Sequence, residues 1–259
     1  MSEQGSQGGR VVWHDLMTTD IDKASEFYTQ LFGWQLNDVD MGGGTYKMIR
    51  SGETDIGGLV PLDKSHGAPS HWTAYVTVDD VDAAVQRASA QGGETLVPPT
   101  PIPNVGAFAM IKDPNGACIS PFKSEHPDAP ESDTTPPAGQ FCWDELLTTD
   151  PDGAVRFYGE LFGWTEETMD MGEMGTYHMM KRGERFGVGI MKMPPQAEAP
   201  PHWLPYVAVE DVDQWTEKVT QLGGKIFCPP TDIPNIGRFD VGADPSGGTF
   251  AIFTGPTKG

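Results

Sequence analysis

The chain has 259 residues, enough for two domains of about 130 residues with a core each. Its 37 Asp and Glu outweigh 17 Lys and Arg, giving a formal charge of −20 and a pI near 4.4. No basic cluster interrupts that acidity, so a phosphate-tracking nucleic-acid surface is excluded and an acidic membrane would repel the chain.

The first ten residues are polar and Gly-rich and lack the apolar core of a signal peptide, so residues 1–10 are expected to fray. An opening strand is predicted over Val11–Met17. Asp20 follows in N-cap position and Asp22 falls in the first turn, where negative charge suits the helix dipole. Ala24, Phe27, Tyr28 and Leu31 form the i, i+3, i+4, i+7 stripe of an amphipathic helix, which Gly33 ends as a C-cap. Strand-like runs come next at Trp34–Asp40, Thr45–Ile49 and Asp55–Val60, with Gly42–Gly44 reading as a hairpin turn. The unit is β-α-β-β-β. It starts again at Thr73–Val78, where D-V-D-A-A at Asp80–Ala84 matches D-I-D-K-A at Asp20–Ala24 and Gly93 matches Gly33.

Residues 124–140 hold four prolines and four acids with almost nothing apolar, and read as a linker. Beyond it the whole pattern returns. W-x-x-L-x-T-T-D-x-D-x-A-x-x-F-Y-x-x-L-F-G-W runs from Trp13 to Trp34 and again from Trp143 to Trp164. H-W-x-x-Y-V-x-V-x-D-V-D recurs at His71 and His202, and P-P-T-x-I-P-N-x-G-x-F at Pro98 and Pro229. This is a tandem duplication. The expected organisation is a tail over 1–10, modules over 11–123 and 141–255, and the linker between them. Cys118, Cys142 and Cys228 form no C-x-x-C motif and have no cysteine counterparts, as expected of reduced thiols in a cytoplasmic protein.

Four β-α-β-β-β units, the F-Y-x-x-L-F-G-W helix end and a D-P-x-G turn at Asp113–Gly116 and Asp244–Gly247 resemble the vicinal oxygen chelate superfamily. This is the glyoxalase, bleomycin-resistance and extradiol-dioxygenase group, and the duplicated form is similar to its two-module bacterial type. The resemblance implies an α+β fold, with eight strands per module curled into open half-barrels of mixed sheet and the helices outside. In metal-using members four inward side chains hold a divalent cation that binds neighbouring substrate oxygens and acts as a Lewis acid. Carried onto this sequence, the ligand positions fall on Trp13 and Trp143, on Thr73 and Leu204, and on Ser120 and Ala251, with the remaining ligand within Gly57–Leu59 and Val188–Ile190. None is His, Glu, Asp or Gln, the side chains such a cation needs. The expectation is therefore no metal and no other cofactor.

Alternation along a strand turns Trp13 and Asp15 inward if Leu16 faces the helix, and likewise Trp143 and Glu145 in the second copy. A buried carboxylate is a candidate general base; the competing reading is a structural carboxylate paired with N–H groups or an Arg. His71 and His202 share this parity near the strand mouth and are either ligand contacts or histidines bonded within their loops. Tyr46 and Tyr177 can present hydroxyls to a ligand or belong to the core. Arg238 stands where the first copy has Ala107, as a cationic anchor in one half or as a surface arginine. His178, replacing Lys47, is expected to face solvent.

The function expected is binding of a small polar or aromatic metabolite in a concave cavity without the superfamily metal, with proton transfer by Asp15 or Glu145 as the available chemistry. Two alternatives stay open. One is a non-catalytic, ligand-sequestering protein of the bleomycin-resistance kind; the other is a metal-dependent lyase or dioxygenase with displaced ligands. Whether the chain is an enzyme is left open. No nucleic-acid or membrane partner is expected, and the chain is read as a monomer of pseudo-dimeric modules, with a homodimer as the alternative.

Overall fold

The computed structural model describes residues 8–40, 45–63, 67–126, 135–172, 175–195, 197 and 199–256. The β-α-β-β-β unit is present four times. The first comprises β1 (Val11–Thr18), α1 (Ile21–Phe32), β2 (Gln35–Asp40), β3 (Thr45–Ser51) and β4 (Thr54–Pro61), and the second β5 (His71–Thr77), α2 (Val81–Ala90), β6 (Glu94–Ile102), β7 (Gly106–Lys112) and β8 (Cys118–Ser124). The third comprises β9 (Phe141–Thr148), α3 (Pro151–Phe162), β10 (Thr165–Asp170), β11 (Thr176–Arg182) and β12 (Arg185–Lys192). The fourth comprises β13 (His202–Ala208), α4 (Val212–Gln221), β14 (Lys225–Ile233), β15 (Gly237–Ala243) and β16 (Thr249–Thr254). The strands form two open eight-stranded sheets, ordered β2-β3-β4-β1-β5-β8-β7-β6 and β10-β11-β12-β9-β13-β16-β15-β14. Each is mixed: β1 with β4, β5 with β8, β9 with β12 and β13 with β16 run parallel, and the hairpin partners antiparallel. This is the α+β architecture that the family resemblance implies. The Gly42–Gly44 turn lies outside the described residues.

Local chemistry sets the helix ends. Asp20, Asp80, Asp150 and Asp211 each cap a helix by accepting a backbone N–H three residues on. The buried residues of α1 are Ala24, Phe27, Tyr28 and Leu31, the expected stripe. Gly33 ends α1 in the left-handed region, as does Gly163 for α3. Gly93 is not the cap of α2. That helix stops at Ala90, and Gly92 takes the positive φ, with Gly223 doing so after α4. Gly93 is small for another reason: a Cβ there would press on the carbonyl oxygens of Ala88 and Lys112.

Packing divides the chain into two units. Unit one is Met1–Trp13, Ala74–Glu131 and Asp144–Trp203; unit two is His14–Thr73, Ser132–Trp143 and Leu204–Gly259. Each therefore draws helices from both sequence copies. In unit one, Asp113 of the D-P-x-G turn accepts the N–H groups of Asn115, Gly116 and Ala117 on Oδ1, while Oδ2 accepts the Tyr158 hydroxyl at 2.9 Å. That hydroxyl accepts from Trp203 Nε1 at 3.2 Å. In unit two, Asp244, Tyr28 and Trp72 repeat the chain of bonds at 3.0 and 3.2 Å. Burial first, then the neighbouring aspartate, pushes both tyrosines well above the usual phenol range, so they remain donors.

The residues before each opening strand are also held. Trp164 Nε1 donates to the Gly9 carbonyl at 2.7 Å, and Gly9 N donates to Thr77 O at 2.7 Å. Gly9 has φ +86° and no room for a Cβ beside that indole. The expected frayed tail thus does not extend through Arg10, whose own N–H donates to Thr77 Oγ1. Trp34 and Gly139 make the matching bond in unit two, at 2.6 Å.

Asp240 is a departure from the repeat, standing where the first copy has Ala109. It is fully buried beneath α4, with Oδ2 accepting Thr216 Oγ1 and Oδ1 without a hydrogen-bond partner among the described residues. Burial raises its pKa to about 6 from an ordinary 3.8.

Two expectations follow. Tyr28→Phe or Tyr158→Phe leaves a buried aspartate oxygen and an indole N–H unpaired, costing about 1–3 kcal/mol each. Their effects should add in denaturant unfolding, because the two sites share no partner. A folded pKa above the unfolded value means that ionisation of Asp240 opposes folding. Its penalty is absent below about pH 4, grows to about pH 6 and then levels at no more than about 3 kcal/mol. Asp240→Asn should therefore flatten stability between pH 4 and 6 relative to the parent chain, read from melting temperature against pH.

Candidate functional site

The buried Trp72, bonded to Tyr28 under α1, turns Thr73 and His71 to the other face of β5. Leu16, fully buried in the core of unit two, does the same for Asp15 on β1. Asp15 is 5 % exposed and its register partner on β4 is Gly58. Burying a carboxylate is costly without a hydrogen bond, and Tyr46 of β3 supplies one, donating to Asp15 Oδ1 at 2.6 Å. To get there the Tyr46 ring passes over Gly58. A Cβ at Gly58 would overlap the Tyr46 hydroxyl and Cζ, so the glycine is a requirement of the tyrosine.

The second copy repeats this in unit one. Glu145 is 6 % exposed and pairs in register with Gly189. The Tyr177 hydroxyl lies over Gly189, where a Cβ would overlap it. Tyr46 and Asp15 thus meet over Gly58, while in the second copy Tyr177 lies over Gly189, the register partner of Glu145; both glycines were unexplained in the sequence. Those glycines lie within the two segments where the resemblance places a metal ligand.

The other expected residues fall elsewhere. His71 Nδ1 bonds to Pro69 O and His202 Nδ1 to Pro200 O, both at 2.8 Å, as loop-bonded histidines would. Burial lowers the pKa of His202. Trp13 and Trp143 are half-buried on β1 and β9. Arg238 is held by both oxygens of Asp213 and by Asp232, each at 2.8 Å, on the outer surface beside α4. His178 does not face solvent: it is 6 % exposed with Nδ1 2.5 Å from Glu166 Oε1, where the first copy has Lys47 on Asp38. Two open depressions, of about 400 and 380 Å³, lie away from both acid pairs, along α1 with the end of α4, and beside Asp79, Lys123 and His126.

Three features were missed in the sequence. Tyr75 packs with Phe108 and Phe122 at 5.8 and 6.3 Å, and Tyr206 with Phe239 at 6.3 Å. These aromatics were in view as the Tyr of H-W-x-x-Y and the closing Phe of P-P-T-x-I-P-N-x-G-x-F, at the same parity as His71. Thr73 and Ser120 are fully buried with side-chain oxygens that have no hydrogen-bond partner among the described residues, a cost of about 1–3 kcal/mol each. Both stand at positions matched by apolar residues in the second copy, Leu204 and Ala251.

The model of the Glyoxalase/Bleomycin resistance protein/Dioxygenase superfamily matches residues 10–120 and 141–252. The chain belongs to this superfamily. CFP32 of Mycobacterium tuberculosis is 37% identical over 245 residues, covering 93% of this chain and 92% of that protein. The anthracycline biosynthesis protein DnrV of Streptomyces peucetius is 29% identical over 259 residues, covering 94% and 92%. The Mn(II)-bound glyoxalase from Novosphingobium aromaticivorans superposes with a TM-score of 0.65 at 14% identity, covering 96% of this chain and 82% of that one, a likeness of fold. A superfamily metal does not fit the side chains here. Among the described residues no three His, Cys, Asp or Glu converge, a tryptophan, a threonine and a serine stand at three mapped ligand positions of the first copy, and Gly57–Leu59, where the remaining one falls, holds no ligand side chain.

If Gly58 exists to admit Tyr46, the two positions are energetically coupled. Gly58→Ala alone should cost about 1–3 kcal/mol by overpacking. In a Tyr46→Ala background the cost should fall by at least about 1 kcal/mol, measured as a double-mutant cycle. Additive effects would show that the glycine serves something else.

Proposed function

We propose that the chain binds a small polar or aromatic metabolite at the tyrosine–carboxylate pairs, without the superfamily metal. The observation that carries this reading is the buried Asp15 carboxylate accepting the Tyr46 hydroxyl over a bare glycine; in the second copy Tyr177 likewise lies over bare Gly189, the register partner of the buried Glu145. A packed core gains nothing from burying a carboxylate beside a glycine, since each feature sacrifices apolar contact. A binding face gains a directional acceptor and an approachable backbone. One relative's name adds to this reading, because anthracyclines are planar aromatic compounds.

The chemistry open to such a pair is proton transfer. A carboxylate oxygen takes a proton from a C–H next to a ligand carbonyl, the electron pair moves onto the carbonyl oxygen, and the phenol hydroxyl donates to the oxyanion that forms. Return of the proton to another carbon completes an isomerisation or accompanies loss of a leaving group. No co-reactant is needed.

Protein purified from its native cell should carry a small molecule, detected by mass spectrometry of the denatured extract, that is missing from Asp15→Asn/Glu145→Gln protein. Identical extracts would end the proposal. With that ligand in hand, turnover lost in the single variants while binding persists identifies the proton-transfer enzyme. Saturable binding with no product identifies a sequestering protein.

A further inference from the structure

The chain has four asparagines, and only Asn115 is followed by a glycine. Asparagine is a chemically labile side chain. A following glycine makes it more so, because the glycine amide carries no side chain to hinder attack on the neighbouring carboxamide. Asn115 is the third residue of the D-P-x-G turn at Asp113–Gly116, in unit one. It is half-buried, and among the described residues nothing stands within 4 Å of the place a Cβ would take on Gly116. A small ring closing on that side of the backbone meets no steric wall.

What opposes the reaction is Asp113. The nucleophile is the Gly116 nitrogen, and its N–H donates to Asp113 O at 3.0 Å and to Asp113 Oδ1 at 2.7 Å. The same side-chain oxygen takes the N–H groups of Asn115 and Ala117, at 2.8 and 3.0 Å. The nitrogen must lose its proton to attack, and a carboxylate lying against that proton resists the negative charge that forms. Tyr158 fixes the carboxylate in turn, donating to Oδ2 and accepting from Trp203. Unit two keeps this arrangement around Asp244, Tyr28 and Trp72, but Ser246 stands where unit one has Asn115, and serine has no carboxamide to lose.

We propose that Asn115 is a site of spontaneous deamidation whose rate is set by opening of the Asp113 turn, a chemical clock carried by unit one alone. Gly116 N gives up its proton and bonds to Asn115 Cγ, the Cγ–Nδ2 bond breaks, and ammonia carries the proton away. One water then opens the cyclic imide at either carbonyl, leaving aspartate or isoaspartate at position 115. Both products put a new carboxylate two residues from the buried Asp113. Isoaspartate also lengthens the backbone by one carbon inside the turn. The N–H groups of Gly116 and Ala117 then lose their alignment with Asp113 Oδ1, which loosens the buried chain of bonds through Tyr158 to Trp203.

The test incubates the full chain at neutral pH, native and in urea, and follows the tryptic peptide Asp113–Lys123 by mass spectrometry, with isoaspartate scored by enzymatic methylation. In urea, Asn115 should convert ahead of Asn37, Asn104 and Asn235. The native chain should convert at least about tenfold more slowly, the effect of having to open hydrogen bonds to a charged group. Tyr158→Phe should speed native conversion and leave the urea rate unchanged, while Tyr28→Phe, the same change in unit two, should leave both rates alone. Trp203→Phe replaces Tyr158→Phe if that variant does not fold. Aged protein should melt below fresh protein, and Asn115→Ser protein, which carries the second copy's residue, should not change with age. Equal rates in the native and urea-treated chains, or no acceleration by loosening Asp113, overturns the inference. So does equal acceleration by Tyr28→Phe, since general destabilisation would then set the rate. An Asn115 that stays intact in urea, or aged protein that melts like fresh protein, overturns it as well.

Discussion

The aspartate of the D-P-x-G turn does two jobs at once, and much of the remaining geometry depends on it. One oxygen gathers the turn's own N–H groups; the other takes a tyrosine hydroxyl from the opposite sequence copy, which in turn takes an indole N–H. This chain of bonds ties α1 to the fourth repeat in unit two, and α3 to the second repeat in unit one. It also fixes the parity of β5 and β13, because each buried tryptophan can point only toward the helix. Once that parity is set, His71 and Thr73 must face the other way. The candidate site is thus a consequence of where an indole is buried.

The sequence was most informative where interactions are local. The apolar stripe of α1, its Asp20 cap and its Gly33 terminator lie within fourteen consecutive residues, and each appears as expected. Gly93 misled because two glycines stand together after α2 and only backbone geometry tells which takes the positive φ. Register was the other barrier. Alternation alone turned Asp15 inward, but the Tyr46 contact depends on the β3–β4 pairing, which places the ring across Gly58. His178 was misplaced for the same reason. Lys47 pairs with Asp38 directly across the ladder, whereas His178 reaches Glu166, which stands where the first copy has Leu36, a pairing visible only with the strands aligned.

Reading the duplication residue by residue separates what the fold needs from what a ligand can use. Caps, aromatic anchors and the tyrosine–glycine–carboxylate device occur in both copies. Thr73, Ser120 and Asp240 do not, and all three are buried polar groups that a core is better off without. Elsewhere the copies exchange one solution for another of equal kind. Arg50 pairs with Asp55 in the first copy, and Lys181 sits over the Phe186 ring at 5.1 Å in the second. Against that background the unpaired hydroxyls stand out as positions under a different demand.

The central proposal is that this chain binds its ligand at tyrosine–carboxylate pairs instead of through a bound cation. The most direct measurement is the metal content of the full chain after dialysis against Mn(II), Fe(II), Ni(II) and Zn(II) in turn, by elemental analysis. The account predicts well under one equivalent of each retained, with no change on Asp15→Asn or Glu145→Gln. One or two equivalents of any of these metals, lost in those variants, would contradict it.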